Sequence, residues 1–392
     1  MDKSPTTILD PGTGSIKFGV CNFDNSCNQQ VYKNLSIPAI YGTPKYPLSI
    51  HRWPNRNGKY RHDYQIGKHV HMLYDMLNVT HPVIRGVVKD WDVVMTILED
   101  GLKMFDYQPD DFPKALLISE PWFHSRIKRE KMVEIVFEKC DYDKFYSVPQ
   151  TVLTLYNYGE TSGYVLESGY GQTQFTPIFE GHKVQYGCFN FNKGGFDLTS
   201  SLAKKLKNQA NQFLQLNTAE KNGNCIHTFH HYYELETLKI HPNDAHQVLT
   251  SKELETSTLY DEIFFFDTPT VQSGDTPNNP QNLIKLIQES YEILVTDQSE
   301  NKSMTAITSL INHIPKNLFL GGGNASNKHF QDRIGKGWVN NNPINTLAPD
   351  ESEWAVWKGG CKFVCHPSID TYWIKSQEYY ETGPNIINLC SL

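Results

Sequence analysis

The chain has 392 residues, 39% of them hydrophobic and 20% charged, so it is long enough for more than one lobe and has the composition of an ordinary globular protein. A formal net charge of -7 argues against direct nucleic-acid binding, which calls for a basic face. The opening Met1-Asp2-Lys3-Ser4-Pro5 is not a charged-then-apolar leader and no apolar run approaches membrane-spanning length. We therefore expect no membrane contact, a cytosolic or nuclear location, and proteins and small anions as partners.

Taken in chain order, short β-rich stretches at Thr7-Ile8-Leu9, Lys114 to Ile118 and Gly163-Tyr164-Val165-Leu166 alternate with helical periodicity in Trp91 to Lys103, Arg129 to Phe137 and Leu198 to Leu206. That alternation predicts an α/β fold. Polar, loop-like composition marks Tyr46 to His62, Asn217 to Asn224, Ser273 to Asn282 and Gly335 to Asp350 as insertions or lobe boundaries. The run Ile263-Phe264-Phe265-Phe266 reads as a buried strand. The basic run Arg126, Lys128, Arg129, Lys131 reads as a solvated helix face. Cys225, His227, His230 and His231 sit together without a second ligand pair and read as a surface turn, not a zinc site. The eight cysteines are scattered, so free thiols are expected, with Cys361 and Cys365 on one helix face.

One internal echo stands out. Asp10-Pro11-Gly12-Thr13-Gly14-Ser15-Ile16-Lys17-Phe18 and Glu167-Ser168-Gly169-Tyr170-Gly171-Gln172-Thr173-Gln174-Phe175 share an acid, a glycine two and four residues later and a phenylalanine eight later, each after an apolar strand. Either turn alone closes a plain hairpin as readily as it does anything else. Repeated in two halves of one chain, Gly-x-Gly turns can present backbone N–H groups as two facing anion nests. Thr13, Ser15 and Thr173 would add hydroxyls, Lys17 charge, and Asp10 with Glu167 would hold an accompanying Mg²⁺ through water. A Rossmann reading fails because Ile16 to Val20 alternates like a strand where a helix is needed, and no Walker-type loop is present. A third cluster, Gly321-Gly322-Gly323-Asn324, follows the apolar strand Leu318-Phe319-Leu320 and is a candidate adenosine platform.

Read together, these segments resemble the actin family. Arg85-Gly86-Val87-Val88-Lys89-Asp90-Trp91-Asp92 is similar to that family's Gly-x-Val-x-x-Trp-Asp segment, and Gln150-Thr151-Val152-Leu153-Thr154-Leu155-Tyr156 to its hinge segment. Trp354 to Gly360 and Trp373-Ile374-Lys375-Ser376-Gln377-Glu378-Tyr379-Tyr380-Glu381-Thr382-Gly383-Pro384 are similar to its carboxy-terminal signature, which separates actins from the chaperones and sugar kinases of the same ATPase superfamily. The resemblance covers residues 5–25, 80–206 and 315–392 and nearly vanishes between 207 and 314.

The resemblance implies an actin-like two-lobed ATPase fold, two duplicated ribonuclease-H-like domains around a nucleotide cleft. Residues 1–157 with 353–392 would form the small outer lobe, tipped by 34–81, and 158–352 the large inner lobe, tipped by about 194–280. ATP or ADP with Mg²⁺ would be held by Asp10, Gly12, Thr13, Gly14, Ser15 and Lys17 from one lobe and by Glu167, Gly169, Tyr170, Gly171 and Gln172 from the other. Gln150 would position the attacking water, and Gly322, Gly323 and Asn324 would lie against the adenosine. The chain departs from the family at Glu167 and Tyr170, where aspartates are usual, and at Gln174, where a histidine is usual. Pro11 replaces an asparagine, and Glu353-Trp354 a Lys-Tyr pair.

A glutamine cannot take a proton at neutral pH, so weak or no hydrolysis is expected. The segment from Tyr46 to Tyr60, stiffened by Pro47 and Pro54, and that from Leu259 to Leu283 differ from the elements that link actin filaments, so no self-polymerisation is expected. The resemblance thus implies a structural subunit of a cytoskeletal, ciliary or chromatin assembly, with actin or other actin-related proteins as partners; the alternatives are an active filament-forming ATPase and a small-molecule kinase. The cytoplasmic cytoskeleton is its expected place, with cilium or nucleus as alternatives.

Overall fold

The computed structural model describes residues 5–24, 29–45, 64–67, 69–70, 73, 76–107, 112–202, 204–205, 256–265, 282–296, 317–336, 338–339, 342–343 and 345–389. The loop at 46–60, the segment Cys225 to His231, most of 207–314, and Cys27 and Cys390 lie outside them.

The sequence echo is an echo of topology. In the first half, strand Thr6–Pro11 turns back antiparallel as Ser15–Asp24 and runs parallel to Ala115–Glu120, which runs parallel to Lys144–Pro149. In the second, Gly163–Ser168 turns back as Thr173–Phe179 and runs parallel to Asn317–Gly321, which runs parallel to Asn345–Leu347. Gln29–Pro38 and Ile374–Lys375 complete a six-stranded sheet in the first half, and His182–Lys183 with Phe189–Phe191 complete another in the second. A small separate sheet of Tyr41–Pro44, Gln65–Ile66 and Leu77–Thr80 extends the first half.

The central strands are apolar on both faces because each sheet is covered on both sides. Successive side chains point to opposite faces, and the packing follows. Leu9, Leu116 and Ile118 join an outer cluster with Val94, Leu98 and Leu102 of helix Trp91–Met104. Ile8, Ala115 and Leu117 face inward to a central cluster. In the second sheet Leu166, Leu318 and Leu320 join their own outer cluster, while Val165 and Phe319 enter that same central one. The central layer is built by two helices, Gln150–Tyr158 and Ala355–Val364, which lie between the sheets and tie the halves together.

These two helices approach so closely that a Cβ on Gly359 would overlap the carbonyl oxygen of Leu153, which is why a glycine stands there. Beside it Trp357 is fully buried, its indole N–H donating to Ile8 O at 3.3 Å. The helix Gln150–Tyr158 starts directly from the strand at Pro149 and ends at Gly159 with φ +80, from where the chain enters the second sheet.

The described part of the apolar run, Ile263 to Phe265, is not a strand, and Phe266 lies outside the described residues. Asp261–Phe265 forms a π-helical turn that buries Phe264 and Phe265 against Phe330, and a four-residue apolar run carries too little periodicity to tell the two apart. Arg126, Lys128, Arg129 and Lys131 lie in the helix Arg126–Lys139, but Arg129 turns inward to Glu120 at 2.9 Å. Cys361 is buried and Cys365 half-buried, the latter's sulfur 3.8 Å from Cys21 Sγ. Among the described residues no helix is long and apolar enough to cross a membrane.

Candidate functional site

The paired sheets bring the two hairpins together. Across the first, Asp10 lies opposite Lys17; across the second, Glu167 lies opposite Gln174. Asp10 is 4% exposed, with Oδ1 accepting from Ser119 Oγ at 2.6 Å and Gln150 Nε2 at 3.0 Å and Oδ2 3.8 Å from Lys17 Nζ. Gln150 opens the connecting helix, and its Oε1 accepts from Gln174 Nε2 at 3.0 Å. Gln174 Oε1 in turn accepts from the Trp122 amide at 3.3 Å. Two side-chain amides thus run as one chain from the backbone at Trp122 to the Asp10 carboxylate, and neither can titrate.

Glu167 is buried at the base of the second hairpin. Thr154 Oγ1, one helical turn beyond Gln150, donates to its Oε2 at 2.5 Å, and the carboxyl packs against the bare backbone of Gly321 and Gly322. Burial is the main force on its pKa, opposed by the Thr154 hydrogen bond and by Lys17 and reinforced by the charge of Asp10; the result is a carboxyl pushed up to about 8.

The hairpin tips touch. A Cβ on Gly14 would lie 2.7 Å from Tyr170 Cβ, and one on Gly171 would overlap Thr13 Oγ1. Thr13 Oγ1 accepts from Gly86 N at 2.8 Å. Among the described residues the amides of Thr13, Gly14 and Gly171 donate no hydrogen bond, leaving backbone donors from both halves adjacent and uncommitted. Gly12 N instead donates to Asp10 O at 3.0 Å, and a Cβ on Gly12 would lie 2.6 Å from Ser15 O, so these two residues shape the first turn. Gly169 N donates to Gln172 O at 2.9 Å and closes the second.

Other expected residues are placed differently. Thr173 gives its hydroxyl proton to Lys193 O at 3.0 Å and stands 2.8 Å from Ser168 Oγ, bracing the hairpin rather than facing its tip. Gln172 is 5% exposed and packs against Gly86, with neither side-chain polar atom partnered among the described residues. Tyr170 stacks edge-on against Phe196 at 6.0 Å, and its hydroxyl is pushed up to about 12, burial being the first cause. Asn324 is 3% exposed, its amide donating to Gly169 O at 2.8 Å and Ser168 Oγ at 3.1 Å, so it supports the second hairpin. In the third cluster, Gly322 adopts φ +84 and lies against the Ser168 carbonyl, while a Cβ on Gly323 would meet nothing within 4 Å. Open space for a flat ligand therefore lies at Gly323, and Gly322 is required by packing.

Sequence reading missed four residues that complete the site. Ser119 follows Ile118, the partner of Leu9, and so reaches Asp10 across a parallel register. Thr154 carried a readable signal, being a polar residue four positions after Gln150 and so on the same face of the helix. Arg85 and Asp197 carried none. Arg85, held at φ +48, donates through Nη1 to Gly171 O and Asp197 Oδ2, both at 2.6 Å, and through Nη2 to Asp197 Oδ1 at 3.0 Å, with its guanidinium 5.4 Å from the Phe196 ring.

Duplicated hairpins on paired sheets, bridged by a helix that begins with a glutamine, agree with what a scan against family models finds: the model described as Actin matches residues 1–258 and 242–390. The chain belongs to the actin family.

Proposed function

We propose that this chain, as members of the actin family generally do, binds ATP or ADP with a divalent metal, here between its hairpins and with little or no hydrolysis, and that it serves as a fixed, non-polymerising structural subunit of a larger protein assembly. The observation that carries the nucleotide reading is the touching pair of tips: uncommitted amides of Thr13, Gly14 and Gly171 lie beside each other, which is the donor set a phosphate chain requires. Lys17 supplies charge, and the open face at Gly323 suits an adenosine. Among the described residues no three His, Cys, Asp or Glu side chains cluster to hold an ion directly. Mg²⁺ keeps several waters and leans on substrate phosphates, which fits Asp10, with Glu167 once ionised, as water-mediated holders.

When bound, the magnesium nucleotide supplies an activated terminal phosphoryl group. The chain's own residues orient it and exclude water. Gln150 is held at both ends, its Nε2 on Asp10 and its Oε1 on Gln174. Its acceptor oxygen is therefore engaged where a water would need it, and no titrating group stands at position 174 to take the water's proton. These two facts support weak turnover.

The test is direct. Nucleotide extracted from purified protein should be adenine nucleotide, and MgATP should raise the melting temperature by mass action. Asp10→Ala should reduce that rise. No bound nucleotide together with no thermal shift would sink the proposal.

A further inference from the structure

The helix Ala355–Val364 meets the first sheet as well as the helix Gln150–Tyr158. Trp357, Cys361 and Cys365 follow one another at four-residue steps and so share one helix face. Strand Ser15–Asp24 runs along that face. A Cβ on Gly19 would lie 2.7 Å from the Trp357 ring, and Cys21, two residues on and pointing the same way, brings its Sγ within 3.8 Å of Cys365 Sγ. The Cys21 sulfur also lies 4.0 Å from Cys361 O. Two sulfurs 344 residues apart in sequence thus come into van der Waals contact where the first hairpin meets the connecting helix.

The two thiols differ in access. Cys21 is 3% exposed and fixed within its strand, opposite Thr6 on one side and Tyr32 on the other. Cys365 is half-buried at the end of the helix, and His366, Pro367 and Ser368 after it are exposed. One sulfur can therefore be reached by a dissolved oxidant while the other waits behind it. A disulfide needs the sulfurs to approach to about 2.05 Å, a contraction that the terminal residue of a helix can supply while the strand stays in place. Burial pushes the Cys140 and Cys188 thiols up to about 12, so neither competes as a nucleophile near neutral pH.

We propose that Cys21 and Cys365 form an oxidisable dithiol, whose disulfide clamps the helix Ala355–Val364 to the first sheet. Glutathione disulfide serves as the oxidant. The Cys365 thiolate, its proton given to solvent, attacks one glutathione sulfur; the glutathione S–S bond breaks and one glutathione thiolate leaves. The Cys21 thiolate, its proton likewise given up, then attacks Cys365 Sγ, the mixed S–S bond breaks and the second glutathione leaves. The two cysteines lose two electrons, and one glutathione disulfide becomes two thiols as the leaving thiolates take up two protons. The new bond closes a loop of nearly the whole chain, and it fastens a helix whose close crossing with Gln150–Tyr158 joins the halves. The pair includes no residue of the hairpin tips and does not depend on the nucleotide reading.

The test uses the full chain, reduced and then incubated with excess glutathione disulfide. Mass spectrometry of a non-reducing digest should show the peptides carrying Cys21 and Cys365 joined, two hydrogens lighter than their sum, and separated again by dithiothreitol. The melting temperature should rise by about 3 °C or more, because the cross-link constrains the unfolded chain, and should fall back on reduction. Cys21→Ser should stop the sequence halfway, with a stable glutathione adduct on Cys365. Cys365→Ser, a change at the helix end, should leave Cys21 unmodified and abolish the rise; if Cys21→Ser does not fold, this variant and the wild-type digest decide on their own. A glutathione adduct that persists on Cys365 of the wild type, Cys21 joined to a different cysteine, no modification of either, or a cross-link without a rise in the melt overturns the proposal.

Discussion

Glu167 enters the folded state with a carboxyl pushed up to about 8, against 4.5 for an ordinary glutamate. Between those values the folded chain holds a proton that the unfolded chain has released. Stability from this group is therefore full below about pH 4.5 and lost progressively as pH rises toward about 8. Urea unfolding in EDTA, without nucleotide, should show stability falling across that window by up to about 1.4 kcal/mol per pH unit. Glu167→Gln, neutral and of the same shape, should flatten the slope, and an unchanged slope would remove Glu167 as its cause. A second expectation concerns the neighbouring amides. Gln174 holds Gln150 but cannot relay a proton, so restoring a titrating ring and a carboxylate with Gln174→His and Tyr170→Asp should raise steady-state phosphate release by about 10-fold or more, general-base assistance being worth about 10² to 10⁴. Release already equal to that of filamentous actin before the change would contradict the reading.

At the scale of elements, the contact that joins the halves is the crossing of Gln150–Tyr158 with Ala355–Val364. Gly359 lies against the Leu153 carbonyl with no room for a methyl group. Gly359→Ala gains helix propensity but must push the helices apart, and overpacking of this kind costs about 1–3 kcal/mol. Thermal denaturation should show a clear loss, whereas Gly323→Ala, which meets open space, should leave the melt nearly unchanged. The two hairpins were legible in sequence because acid, glycines and phenylalanine all lie within nine residues, and a turn is a local object. The α/β alternation was legible for the same reason. What sequence could not show was pairing at a distance: Ser119 with Asp10, 109 residues apart, and Arg85 with Asp197, 112 apart, depend on strand order and lobe closure. The strand expected at Ile263 to Phe265 failed for a different reason, since aromatics satisfy strand and helix alike and only the surrounding Tyr260 and Phe330, packed on Phe264, choose. Local signal also could not show that Thr173 and Asn324, read in sequence as ligand donors, hydrogen-bond within the second hairpin and its surroundings.

For the whole molecule, Arg85 is one of the side chains that link the two halves beside the hairpin tips, along with Gln174, which accepts from the Trp122 amide, and Lys183, which donates to Trp122 O. Arg85 comes from the first half, within the turn between Val83–Ile84 and Val87–Val88, and reaches Gly171 O and Asp197 in the second. Its φ of +48 is unusual for a residue with a side chain and persists because those contacts hold it. The pair is bidentate and partly shielded, the side chains being 33% and 13% exposed. Its removal leaves Asp197 with the Gly194 amide and with Lys193 at 3.9 Å, so the loss should be roughly 1–3 kcal/mol, below that of a fully buried pair. The larger effect should fall on lobe motion. Arg85→Ala leaves the central helix layer intact, so the chain should stay folded while the halves separate more often. Amide hydrogen exchange at residues 169–173 should then quicken and the radius of gyration from small-angle scattering should rise. Arg85→Lys should not restore either, because a single ammonium cannot reproduce the fork that engages the carboxylate and Gly171 O together. Wild-type exchange at the second hairpin in both variants would show that closure does not depend on Arg85.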